Sequence, residues 1–181
     1  AAGPEVELFI DANCSLDLYH ARQLCQMIEP FRIEFFEEPV TQNDVRQLAE
    51  LRSQTTIRLA CGQNEGQAYR FRDMMIAGAV DIIQPNVAIT GGFTQCQKIA
   101  ALANSFNISV DNGGAWPFFN QHLQAGLSNG GLVEYHYSSV EVCKRLYIGL
   151  PEPKQGWLTM TDAPGLGFEL NTAALPHFEI D

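Results

Sequence analysis

Positive charge is scarce in this sequence. Eleven Lys and Arg stand against 21 Asp and Glu, for a formal net charge of −10 over 181 residues. That balance argues against nucleic acid and against anionic membrane surfaces, both of which need cationic patches. An acidic chain handling an anionic substrate needs a metal ion or local cations against its own field. Zinc-type cysteine spacing is also missing. The five cysteines, Cys14, Cys25, Cys61, Cys96 and Cys143, are odd in number, scattered, and form no C-x-x-C pair. Free thiols in a reducing compartment are expected rather than a disulfide framework or a zinc site. No signal-peptide pattern and no apolar run of about 18 residues occurs. A cytoplasmic protein that does not enter membranes is therefore expected. What is present is an apolar content of 46%, enough for the core of one globular domain.

Read in order, apolar strand-like runs alternate with helical periodicity. Strands are expected at Glu5–Ile10, Arg32–Glu37, Thr56–Cys61, Ala79–Gln84, Asn107–Val110 and Leu132–Tyr135. Ser15 or Asp17 can cap the first helix, whose apolar positions include Leu16, Tyr19, Leu24, Met27 and Ile28. Asn43 or Asp44 can open the second, with Val45, Leu48 and Leu51 on its apolar side. Further helices are expected from Gln67 to Ala77, after Gly91-Gly92, and from Phe118 to Leu127. From about Ser138 the pattern breaks, and Pro151, Pro153, Pro164 and Pro176 mark irregular chain. The expected division is a partial barrel portion over 1–137 and an irregular segment over 138–181 that packs back on the barrel or on a capping domain.

Each strand run ends in a carboxylate or carboxamide: Asp11, Glu37, Gln63, Asn86, Asn112 and Glu134. They recur at intervals of about 25 residues, the length of one βα unit. Six units fall short of the eight in a closed barrel. An open doubly wound sheet and a partial (β/α) barrel of the TIM type both fit. Six polar strand ends favour the barrel, whose sites are built from side chains converging at one face. An open sheet more often binds its ligand at a single switch point.

At these residues the chain resembles the barrel domain of the enolase superfamily, in its mandelate racemase and muconate-lactonizing branch. Asp11-Ala-Asn13, Glu37-Glu38-Pro39, Gly62-Gln63-Asn64, Gly78-Ala79-Val80-Asp81, Gln84-Pro85, Gly91-Gly92 and Pro164-Gly165-Leu166-Gly167 fall in the family's order. The likeness begins at what corresponds to the third barrel strand. The N-terminal capping domain and the second-strand K-x-K pair have no counterpart here, so a partial barrel is expected. The resemblance implies abstraction of the proton α to a carboxylate, with Mg²⁺ stabilising the enediolate. It implies a small carboxylate substrate and a homo-oligomer.

The resemblance also implies Asp11, Glu37 and Gln63 as Mg²⁺ ligands, the last an amide where an acid is usual. Asn64 and Glu65 are close substitutes for it. Asn86 and Asn112 fall where a His-Asp dyad is expected, and neither amide is a base near neutral pH. Two-base racemisation is therefore disfavoured. Glu134, Asp111 and His136 are candidates for proton transfer. Asn13, Glu38 and Trp116 are candidates for support or substrate contact. The structural alternatives are plain. A strand-end acid is more often a solvated terminus or a helix cap. Glu38 can support the loop before Pro39, and Gln63 can donate hydrogen bonds instead of ligating. The reading carried forward is acid-sugar dehydration in the intact enzyme, by a chain with little turnover alone. An epimerase or cycloisomerase, or a barrel that binds without turnover, stands beside it.

Overall fold

A computed structural model describes residue 3 and residues 5–178. Six strands alternate with helices: β1 (Leu8–Asp11), α1 (Leu18–Ile28), β2 (Ile33–Glu37), α2 (Val45–Arg52), β3 (Arg58–Cys61), α3 (Ala68–Ile76), β4 (Ile82–Ile83), α4 (Gly92–Ser105), β5 (Ser109–Asn112), α5 (Pro117–Ala125) and β6 (Gly130–Val133). All adjacent pairs are parallel, and the sheet order is the chain order. Residues of both β1 and β6 line one cavity, so the sheet curls until its two edge strands face each other. This is a partial (β/α) barrel rather than a flat doubly wound sheet.

The pleat sorts side chains into two layers. Phe36, Leu59, Cys61, Ile83 and Val110 point outward and pack under the helices with Ala21, Leu48, Phe71, Met74 and Ile99. Phe35, Ala60 and Ile82 point inward and fill the barrel floor. The N-caps are resolved. Asp17 accepts from His20 N–H, and Asp44 accepts from the Arg46 and Gln47 N–H groups. Each satisfies donors that the helix leaves orphaned. Tyr19 and Met27, expected on the apolar side of α1, are exposed, and Ala21 and Cys25 are buried instead. Four of the five free cysteines are buried and serve as small core residues.

The stretch expected to be irregular opens with a helix, α6 (Tyr137–Leu146), followed by a short antiparallel pair, β7 (Tyr147–Ile148) and β8 (Glu169–Leu170). Val140 and Cys143, three residues apart, bury one face of α6 against Phe118. Tyr147 and Phe168 complete an aromatic cluster with Phe118 and Phe119. The segment thus packs on α5.

Candidate active site

The parallel register puts Asp11 of β1 opposite Glu37 of β2, and Glu37 opposite Ala60 of β3. Asp11 and Glu37 share a face with Phe9 and Phe35, one step nearer the C-terminal rim. By the same alternation Gln84 follows Ile82, and Glu134 follows Leu132 just past the end of β6. These side chains wall a cavity of about 330 Å³ with Phe9, Ile10, Phe35, Asp111, Asn112 and Val133. The structure therefore brings Asp11, Glu37, Asp111, Asn112 and Glu134 together. Gln84, not singled out as a site residue in the sequence, joins them. Its signal was the two-residue step from Ile82, obscured because Pro85 and Asn86 draw the eye to the loop.

Glu37 is buried and sits among acids. Loss of solvent raises its carboxyl to about 8, opposed by the hydrogen bond with Gln84 and aided by Asp11, Glu134 and Glu38. Burial also raises Asp11, against the N–H of Asn13, with Glu38 and Glu134 adding to the rise. Asp111 rises by burial, although it accepts the N–H of Leu132 at 2.7 Å. Its carboxylate thereby stitches β5 to β6 where their register shifts. That bond ties it into the cavity wall.

The amides are donors. Gln63 gives its N–H to Glu38 at 3.0 Å, and Asn43 and Asn64 give theirs to the same carboxylate at 2.8 and 3.3 Å. Glu38, at φ +40° and fully buried, thus accepts from three side chains of the loops after β2 and β3. Asn112 donates to the Pro85 carbonyl. Asn86 donates to the carbonyls of Gly113, Gly114 and Ala115 at 2.8, 2.9 and 3.1 Å. It is fully buried and does not line the cavity. Ala115 N–H donates to Glu134 at 2.9 Å. Gly113 is needed here for close approach. A Cβ on it would lie 2.8 Å from Glu37 Oε1 and Gln84 Nε2, and 3.1 Å from Gln63 Oε1.

Three further candidates lie elsewhere. Glu65 pairs with Arg70 at 2.9 Å instead of replacing Gln63. His136 caps α6, its Nδ1 accepting from Ser139 N–H, and does not line the cavity. Trp116 lines a separate apolar pocket with Phe93, Phe119 and Tyr147. Asn13 binds both oxygens of Asp11 at 2.7 Å.

For magnesium the donor set is incomplete. Mg²⁺ asks for hard oxygens in octahedral array. Among the described residues no group of three His, Cys, Asp or Glu side chains is gathered to hold a metal ion. Asp11 and Glu37 are two acids on adjacent strand ends. The third strand end offers the neutral Oε1 of Gln63, whose N–H is engaged by Glu38.

Residues 1–174 match the family described as enolase C-terminal domain-like. The chain belongs to the enolase superfamily, in its mandelate racemase and muconate-lactonizing branch. It is 28% identical over 186 residues to D-gluconate dehydratase of Thermoproteus tenax, covering 100% of this chain and 37% of that protein. It is 30% identical over 192 residues to D-galactarolactone cycloisomerase of Agrobacterium fabrum strain C58, covering 99% and 51%. Among solved structures it resembles L-talarate dehydratase from Polaromonas sp. JS666, complexed with Mg and L-glucarate. That match has a TM-score of 0.87 at 28% identity and covers 96% of this chain and 47% of that one. The enolase-superfamily chain thus spans about half or less of the length of these relatives.

Proposed function

We propose that this chain forms most of the active-site wall of an acid-sugar lyase, whose reaction begins at the carbon α to a carboxylate. The carrying observation is the gathering of Asp11, Glu37 and Glu134 at the C-terminal strand ends around one cavity. Relatives named as dehydratases of sugar acids support the choice of reaction.

In dehydration the α-proton leaves, the electrons form an enediolate, and the β-hydroxyl departs with a proton. The resulting enol becomes a 2-keto-3-deoxy acid. In this reading Glu134, held by the Ala115 N–H and lining the same cavity as Glu37, protonates the departing hydroxyl. Asn86 and Asn112 cannot take the α-proton. The family resemblance assigns that base to a lysine of the K-x-K pair, which this sequence does not contain. Inner-face residues Phe9 and Phe35 give the cavity floor an apolar lining. Magnesium in the whole protein would rest on Asp11 and Glu37. With the neutral Gln63 as third neighbour, its affinity is expected to be low.

The test is deuterium exchange. The chain, joined to the remainder of its barrel, is incubated in D₂O with D-gluconate, D-galactonate and L-glucarate and followed by proton NMR. Loss of an α-proton signal with a growing 2-keto-3-deoxy product is expected for one of them, and Glu134→Gln should lose product while retaining exchange. Binding of these acids without exchange of any α-proton would overturn the lyase reading. It would favour the barrel that binds without turnover, to which the three engaged amides already point.

A further inference from the structure

We propose that Asn86 is a positioning residue. It clamps the turn at residues 113–115 over the barrel mouth and, through Ala115, fixes Glu134 at the cavity. The turn is strained. Gly114, Ala115 and Trp116 follow one another at φ +73°, +68° and +60°, two of them with side chains. Consecutive non-glycine residues in the left-handed region persist only where surrounding contacts impose it. Here the imposed contact is one NH₂ group. Nδ2 of Asn86 faces three successive carbonyls within 3.1 Å, while its Oδ1 accepts the N–H of Ala88 at 2.9 Å. The Ala88 N–H on one side and three carbonyls on the other dictate which way the amide points. Asn120 adds a second donor to the Ala115 carbonyl at 2.9 Å. The turn then aims the Ala115 N–H at Glu134.

Chemistry explains why this position carries an amide. Three carbonyl oxygens converge on one point, and their negative ends repel unless a donor lies between them. An ionised carboxylate there would add a fourth negative group to that focus. A protonated one could offer a single hydrogen. Asn86 therefore does a job that an acid at the same place cannot do. Its value to the reaction rests on the proposed role of Glu134, but the clamp can be read without any activity.

The chain has two tryptophans, and Trp157 is exposed. Trp157→Phe leaves Trp116, at the end of the turn, as the sole reporter. In that background Asn86→Asp is compared with its parent by Trp116 emission across pH 4 to 8. The titratable groups facing the turn are Glu37 from β2, Glu134 after β6 and, beyond Gln63, Glu38. Tyr147 lines the same pocket as the Trp116 ring, and His122 on α5 meets Phe93 edge-on. All are common to both proteins, and Asn86→Ser, which adds no charge, separates their titration from that of the new carboxyl. Asn86→Asp should show an added transition as its carboxyl ionises and the turn is released. Hydrogen exchange at the Ala115 amide should accelerate by about tenfold or more across it. Asn86→Ser, which keeps one small donor, should show the faster Ala115 exchange at every pH and covers the case in which Asn86→Asp does not fold. Unchanged Trp116 emission and Ala115 exchange in either folded variant would overturn the proposal. Loss of sugar-acid turnover with both readouts intact would count against the proposed function alone.

Discussion

Gln63, Asn86 and Asn112 share a chemistry that their neighbours demand. Each gives its amide N–H to an oxygen on an adjacent strand end or loop: Glu38, the carbonyls of the turn, or Pro85. A carboxylate in any of these places would lose that bond and meet repulsion. Gln63→Glu is the informative exchange. It should lower stability without metal, by about 1–3 kcal/mol, because the Glu38 oxygen loses its donor and like charges meet. It should also create a response to divalent cations. A thermal midpoint rising by several degrees in 10 mM Mg²⁺ for Gln63→Glu, and little for the parent, is expected; equal responses would count against the amide as the limiting ligand. Glu37 makes a second prediction. Its carboxyl is raised from 4.5 to about 8 in the fold, so the folded chain holds a proton that the unfolded chain releases. Stability therefore falls as pH rises between those values and levels off above them. Thermal melts should show that fall, shallower in Glu37→Gln, with Asp11 and Asp111 keeping a residual slope of the same sign. The amide identities were legible in the sequence. The direction of their hydrogen bonds was not, because it depends on oxygens 25 to 29 residues away that only the register of parallel strands brings near.

At the level of elements, the strand–helix alternation was readable because each outward strand face and inward helix face repeats with its own period. Ile82 and Gln84 show what that pattern withholds. The observed strand β4 has only two residues, so Gln84, the last residue of the expected strand Ala79–Gln84, takes its inward step just past the strand's end, whereas the polar terminus expected from the sequence is Asn86. Helix α6 was missed because four later prolines dominated the composition of the segment. Its signal was Val140 and Cys143 at helical spacing after a histidine cap. Two substitutions probe how elements meet. Leu59→Ala, in the fully buried middle of β3, should cost about 2–5 kcal/mol by chemical denaturation. A loss below about 1 kcal/mol would show that the layer between sheet and helices collapses to fill the gap. Gly113→Ala needs no cavity to do harm. Its methyl would press on Glu37, Gln84 and Gln63 together, and about 1–3 kcal/mol of destabilisation is expected. Shifts in the Gln84 side-chain amide resonances should accompany it.

On the scale of the whole chain, β1 and β6 are the edge strands of the sheet among the described residues, each with one strand neighbour there. Exposed parallel edges invite pairing with other chains, and Leu8, Phe9 and Leu132 beside them are exposed apolar side chains. Sedimentation of the chain should show an average mass that rises with concentration, reduced in Leu132→Lys. A single monomer across the range would show that the edges are protected. The order of the sheet carries one more consequence. Because, among the described residues, each strand of the six-stranded sheet pairs only with those before and after it in sequence, no strand within this sheet waits for a distant partner. A ribosome delivering the chain from its N-terminus releases each βα unit onto an edge already laid down, so the protein can be assembled in the order in which it is made.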